Sequence, residues 1–180
     1  MRLNPVFDRC FRTLYGKPCW NTRSGYGSFI TLEFGEPHLV VREPRKSTAT
    51  SKKVRNLFAR RLVTIRGDWH FWVYCCNWHV DSHGKLVGDS SSVQAIQKAI
   101  EFLDGQALVG ASFSFRGCRS VFEFDLGARL TATPFDAESE QWVLDEPAGR
   151  VLTLRADKMF NHQPGNTPPD TAVWRPAWSS

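Results

Sequence analysis

Cys75 and Cys76 are, by residue type, the side chains best suited to chemistry, since adjacent thiols can serve redox exchange, nucleophilic attack or metal binding. Their spacing argues against all three. Neighbouring side chains on a regular strand point to opposite faces, so these sulfurs cannot pair without breaking the strand. Free cysteines in such a run are most often small buried apolar residues. A zinc set drawn from Cys75, Cys76, His79, Asp81 and His83 fails on distance. Cys75 and His79 share a strand face but lie about 13 Å apart at ~3.3 Å per residue, whereas two ligands of one zinc stand within about 4 Å. Only a sharp turn after Trp78 would gather His79, Asp81 and His83, and the chain has no CxxC. Neither a metal nor a cofactor is expected.

Carboxylates and backbone cradles add little. Glu138, Glu140, Asp145 and Glu146 cluster around turns, where solvated acids are the usual occupants. There is no GxSxG, P-loop, dinucleotide fingerprint or HExxH. Gly25-x-Gly27 precedes a strand rather than a helix and reads as a turn, and Arg66-Gly67-Asp68 reads as a hairpin turn. Enzymatic function is therefore not the expectation. Its remaining form is a small hydrolase-like protein with a pocket between two halves, using His70, His79 or Cys76.

Charge points elsewhere. Residues 42–61 hold eight cations (Arg42, Arg45, Lys46, Lys52, Lys53, Arg55, Arg60, Arg61) against Glu43 alone, a balance of +7 in a chain of net +5. The basicity is thus local, and an anionic partner is the functional reading of it. A protein partner is preferred to nucleic acid, the alternative, because few aromatics are at hand for base stacking. Val54, Leu57 and Phe58 suggest a short helix docked by one apolar edge, with its cations in solvent.

The elements that must carry this segment form a pattern written twice. Asn4-Pro5 starts a helix with a stripe of Phe7, Cys10, Phe11 and Leu14 that stops at Gly16. A second helix begins near Ser91, where Ser91 and Gln94 fit a capping box. Val93, Ile96, Ile100 and Leu103 line its buried face, and Gly105 ends it. Ile30, Leu32 and Phe34 alternate into Gly35, as Phe122, Phe124 and Leu126 alternate into Gly127, and Leu39–Pro44 parallels Leu130–Pro134. Leu62–Ile65 is expected to turn at Gly67-Asp68 into Trp69–Trp78, and Trp142–Leu144 to turn at Pro147-Ala148-Gly149 into Val151–Leu154. Residues 69–78 are apolar on both alternating sets, which predicts a central strand covered on both faces. The predicted class is α+β and mostly antiparallel: two similar helix-plus-five-strand halves, about 4–80 and 89–158, in one pseudo-two-fold domain over 1–160. Residues 43–61 are read as an insertion in the first half, and 161–180 as an extended Pro-rich tail anchored by Trp174 and Trp178.

The chain is 42% hydrophobic and 13% aromatic, which excludes disorder. No window approaches the roughly 18 apolar residues of a membrane span. Asp8, Arg9 and Arg12 interrupt any secretory core, and five scattered cysteines fit a reducing compartment, so a cytoplasmic protein is expected. The repeated order of helix, glycine, alternating strand, Leu-to-Pro segment and Trp-bearing hairpin resembles small uncharacterised bacterial α+β domains, some of immunity type beside toxin systems. That resemblance implies a non-enzymatic interaction protein and brings no catalytic residues. Immunity proteins against basic nucleases are acidic, so only the acidic second half of this chain suits such a partner.

Overall fold

In the computed structural model, which describes residues 1–179, Asn4 Oδ1 accepts from Val6 N at 3.1 Å and so caps the first helix. In chain order the elements are β1 (Arg2–Leu3), α1 (Pro5–Arg12), β2 (Cys19–Ser24), β3 (Ile30–Phe34), β4 (His38–Arg42), α2 (Lys52–Phe58), β5 (Leu62–Arg66), β6 (Trp69–Val73), β7 (Cys76–Ser82) and β8 (Lys85–Asp89). They continue with α3 (Val93–Leu103), β9 (Leu108–Ser114), β10 (Arg119–Phe124), β11 (Ala128–Pro134), β12 (Glu140–Asp145), β13 (Arg150–Arg155), β14 (Met159–Pro164), β15 (Arg175–Pro176) and β16 (Trp178–Ser179). The class is α+β, and every ladder between these strands is antiparallel.

Two sheets face each other. One runs β15-β14-β13-β12-β6-β3-β2 and the other β8-β7-β11-β10-β9. The chain therefore crosses between sheets twice, at β6 to β7 and at β11 to β12. Phe71 meets Phe122 at 4.8 Å and Trp142 meets Phe122 at 6.1 Å across the gap. Helix α1 wedges Phe7 and Phe11 into this cluster, against Phe160, Phe113 and Phe71. Burying each such ring contributes about 1.5–3 kcal/mol. Helix α3 closes the opposite side against β8 and β2, and the tail returns so that Trp178 pairs with Leu3.

Several expectations change here. Residues 69–78 are not one strand. Cys75 takes φ 51°, Tyr74 N bonds Gln141 O at 3.0 Å, and the chain passes from one sheet to the other. Phe71 and Val73 face the core before this kink, Cys76, Trp78 and Val80 after it. The doubly apolar pattern is thus a phase shift of one residue rather than a strand covered on both faces. β5 does not pair with β6 but with β4, while β6 pairs with β3 and β12. The segment outside the main sheets is therefore longer than 43–61, running from Gly35 to Asp68, and Leu39–Arg42 lies in it rather than in a sheet position like that of Leu130–Pro134. Ser92, not Ser91, caps α3 by accepting from Ala95 N, and Val93 is exposed. Residue 160 falls inside β14, so the ladder with β13 continues to Pro164.

Candidate functional site

The arm made of β4, α2 and β5 carries every cation singled out in the sequence. None of its residues from 35 to 66 is buried. Those residues include nine Lys/Arg against Glu36 and Glu43, a balance of +7 that leaves the rest of the chain at −2. The structure divides the eight predicted residues. Arg42 and Arg45 both stack on the Phe58 ring, at 4.6 and 4.5 Å from its centroid, and Arg42 also donates to Leu57 O. Arg55 donates to the carbonyls of Ala49 and Thr50, and Arg61 pairs bidentately with Glu43. These four hold the arm together. Lys46, Lys52, Lys53 and Arg60 make no side-chain hydrogen bond or ion pair among the described residues, and all are exposed.

Sequence reasoning missed the other half of the arm's chemistry. In the β4–β5 register Leu39 faces Ile65 and Val41 faces Val63, and alternation places all four on one face. They are exposed by 66%, 51%, 50% and 51%. The aliphatic residues are legible in the sequence, but the expected partners, a Leu130–Pro134-like position for Leu39–Pro44 and Trp69–Trp78 for Leu62–Ile65, differ from the β4–β5 pairing that leaves them uncovered.

At the arm's base the chain is clamped. Gly67 N donates to Glu33 Oε2 at 3.0 Å, Glu36 N to Asp68 Oδ2 at 2.9 Å, and Trp20 Nε1 to Gly35 O at 3.0 Å. A Cβ on Gly67 would stand 2.8 Å from Phe34 N, so only glycine admits this approach. Glu33 is fully buried. Its Oε1 takes His70 Nδ1 at 2.9 Å, with Arg23 at 3.6 Å. Burial pushes the Glu33 carboxyl up, but the His70 hydrogen bond and charge and the Gly67 N–H outweigh it and hold it below its ordinary value. Asp145, opposite His70 on β12, is pushed up by burial against the pull of His70 and Arg66. Glu33, His70 and Asp145 thus form one row across β3, β6 and β12. The last two open into a cleft of about 360 Å³ with His38, Arg66 and Asp68.

Of the four acids expected to be solvated, Glu138 is exposed as expected and the other three are engaged. Asp145 belongs to this row, Glu146 lies 3.3 Å from His162, and Glu140 takes the Tyr74 hydroxyl. Of the residues named for an enzymatic reading, only His70 lines the cleft, while His79 is exposed on β7 in the other sheet. Cys76 is buried and donates to Gln141 O. Burial pushes the thiols of Cys10, Cys19 and Cys76 up to about 12, so none is a thiolate at neutral pH unless a bound cation displaces its proton. Cys75 is exposed, with its pKa raised by desolvation and then by Glu140 and Asp136. Asp81 pairs with Arg129 at 3.0 Å rather than joining His79 and His83.

No helix among the described residues is long and apolar enough to cross a membrane. The chain matches no protein-family model, and no curated protein or solved structure matches it. The functional reading rests on geometry and chemistry alone.

Proposed function

We propose that this is a non-enzymatic interaction protein whose arm, residues 35–66, docks on the acid-rimmed apolar surface of a protein partner. One observation carries the reading: the Leu39, Val41, Val63 and Ile65 face stands uncovered on the same arm as the exposed, unpaired Lys46, Lys52, Lys53 and Arg60. An aliphatic face buried on binding supplies affinity, and the cations steer and select an acidic partner. Phosphates need the cations but not the aliphatic face, which is why protein is favoured over nucleic acid. Affinity purification of the full chain after crosslinking in cells tests this, with binding then measured against the purified partner. The Leu39→Ser/Ile65→Ser double variant should lose at least about tenfold in affinity, a change of 1.4 kcal/mol. Binding of a labelled 20-bp duplex that falls steeply with salt and ignores this variant would establish the nucleic-acid reading instead.

A hydrolase-like reading has one supporting feature, the buried carboxylate that fixes the His70 ring, as in general-base dyads. The cleft lining includes no serine, threonine or cysteine, so the hydroxyl or thiol that such a dyad would activate is missing, and binding remains the better account.

The body is read as a duplicated unit, a helix with three strands in one sheet and two in the other. Strand order supports this, since β2-β3-β6 is completed by β12-β13 and β9-β10-β11 by β7-β8. So do the helix exits. Pro18 bridges Ala107, its own counterpart at an offset of 89, and Gly16 N to Leu108 O is matched by Gly105 N to Cys19 O. On this reading the arm replaces the three-residue turn Asp125–Gly127 between β10 and β11.

A further inference from the structure

At the β12–β13 turn, next to Asp145, three ligand-type side chains from distant parts of the sequence converge. Cys10 comes from α1, Glu146 from the turn and His162 from β14. Cys10 Sγ lies 3.9 Å from His162 Nε2, and both Glu146 carboxylate oxygens lie 3.3 Å from that same nitrogen. All three groups present atoms within 4.8 Å of one another, the only such trio among the described residues. Glu146 Oε1 is buried and has no hydrogen-bond partner among them, an expensive state for a carboxylate oxygen unless something else satisfies it.

We propose that Cys10, Glu146 and His162 bind a divalent metal ion of the zinc class. Bonds near 2.3 Å to sulfur and 2.0–2.1 Å to nitrogen or oxygen, in tetrahedral geometry, place neighbouring ligand atoms roughly 3.3–3.6 Å apart. The observed 3.3 and 3.9 Å about His162 need only a few tenths of an ångström of adjustment, and the remaining Cys10–Glu146 separation, within 4.8 Å, closes by up to about 1.2 Å as the metal binds. Thiolate, imidazole and carboxylate together suit a borderline-soft ion rather than calcium or magnesium, which take oxygen ligands.

Arg150 is the main objection. Its Nε lies 3.4 Å from His162 Nε2, and its terminal nitrogen donates to the His162 carbonyl. Charge resolves the conflict. A dication with one thiolate, one carboxylate and a neutral imidazole is electrically neutral, so Arg150 is not repelled, and the carbonyl bond keeps it anchored when the metal takes the ring nitrogen. His162 also lines a cleft of about 600 Å³ with Arg9, Arg150 and Arg175. An exchangeable fourth ligand can enter from there, and those arginines favour an anionic one. Three protein ligands with an open fourth position is the arrangement of exchangeable zinc sites rather than closed structural ones.

The test is cobalt titration of the full chain, freed of metal by chelation and kept reduced. One equivalent should bring up a near-ultraviolet thiolate-to-cobalt band together with visible bands of tetrahedral intensity, and zinc should abolish both. Cys10→Ser should remove the thiolate band. His162→Ala and the shape-preserving Glu146→Gln should weaken zinc binding more than about 100-fold, because loss even of an outer-shell partner costs 10–100-fold. Cys75→Ser, which alters the exposed thiol, should change nothing. Circular dichroism confirms that each variant is folded before it is read. Absence of the thiolate band in the wild-type chain, its survival in folded Cys10→Ser, or its loss in Cys75→Ser overturns the proposal.

Discussion

Strands β3 and β4 are each five residues long and are separated by only three residues of chain, and both are rich in aliphatic side chains. Every residue of β3 is buried, whereas β4 is exposed along nearly its whole length. The difference lies in what each strand meets. Ile30, Leu32 and Phe34 point into the gap between two sheets, where α1 and the aromatic cluster cover them. Leu39 and Val41 pair with Ile65 and Val63 on a two-stranded ribbon that has no second layer. Comparable aliphatic content thus produces a core in one place and an uncovered face in the other, which separates the strands that carry stability from the face proposed to bind.

The strongest way to break this comparison is to cut the covered side. Phe11→Ala, which removes a fully buried ring touching Phe71, Phe122 and Trp142, should cost about 3–5 kcal/mol in urea unfolding. A loss as small as a surface substitution would mean the two regions do not differ in kind. At the junction, Glu33→Gln should cost about 1–3 kcal/mol by weakening the bonds to His70 and Gly67 N. The Glu33 carboxyl is held low in the fold, so its stabilisation is present above the ordinary value of 4.5 and lost as pH falls through the lower folded value. Acid-unfolding curves of wild type and variant should therefore converge at low pH.

Asp145→Asn should act with the opposite sign. The Asp145 carboxyl is raised in the fold, so its contribution is present below the ordinary 3.8 and lost as pH rises through the folded value. The asparagine variant should then be slightly more stable than wild type at neutral pH and no more stable in acid. The smallest effect is expected on the arm. Leu39→Ser/Ile65→Ser should shift stability by no more than about 0.5 kcal/mol while lowering affinity for the partner at least about tenfold. If it unfolds the protein, the ribbon is part of the core and the docking reading falls.

Local physics made much of the scaffold legible. The Asn4 cap, the α1 stripe of Phe7, Cys10, Phe11 and Leu14, the end of α3 at Gly105 and the turns at Gly25 and Gly149 follow from bonds and periodicities spanning a few residues. The basic cluster and its short helix were equally readable. Pairing was not, because Leu62–Ile65 can bond either neighbour equally well on local grounds, and only the antiparallel register of β4 and β5 decided it.

What the sequence determined by itself, then, is which residues seek burial, where helices start and stop, and where positive charge collects, since each depends on near neighbours. The tertiary structure alone decided which apolar residues find a covering layer. It turned 69–78 from one strand into two through the left-handed backbone at Cys75, and it gave four of the arm's nine cations a structural partner. It also drew Glu33 to His70 across 37 residues and Cys10 to His162 across 152. Contacts of that range leave no spacing signature, because they are set by how sheets face one another and not by the chain between them.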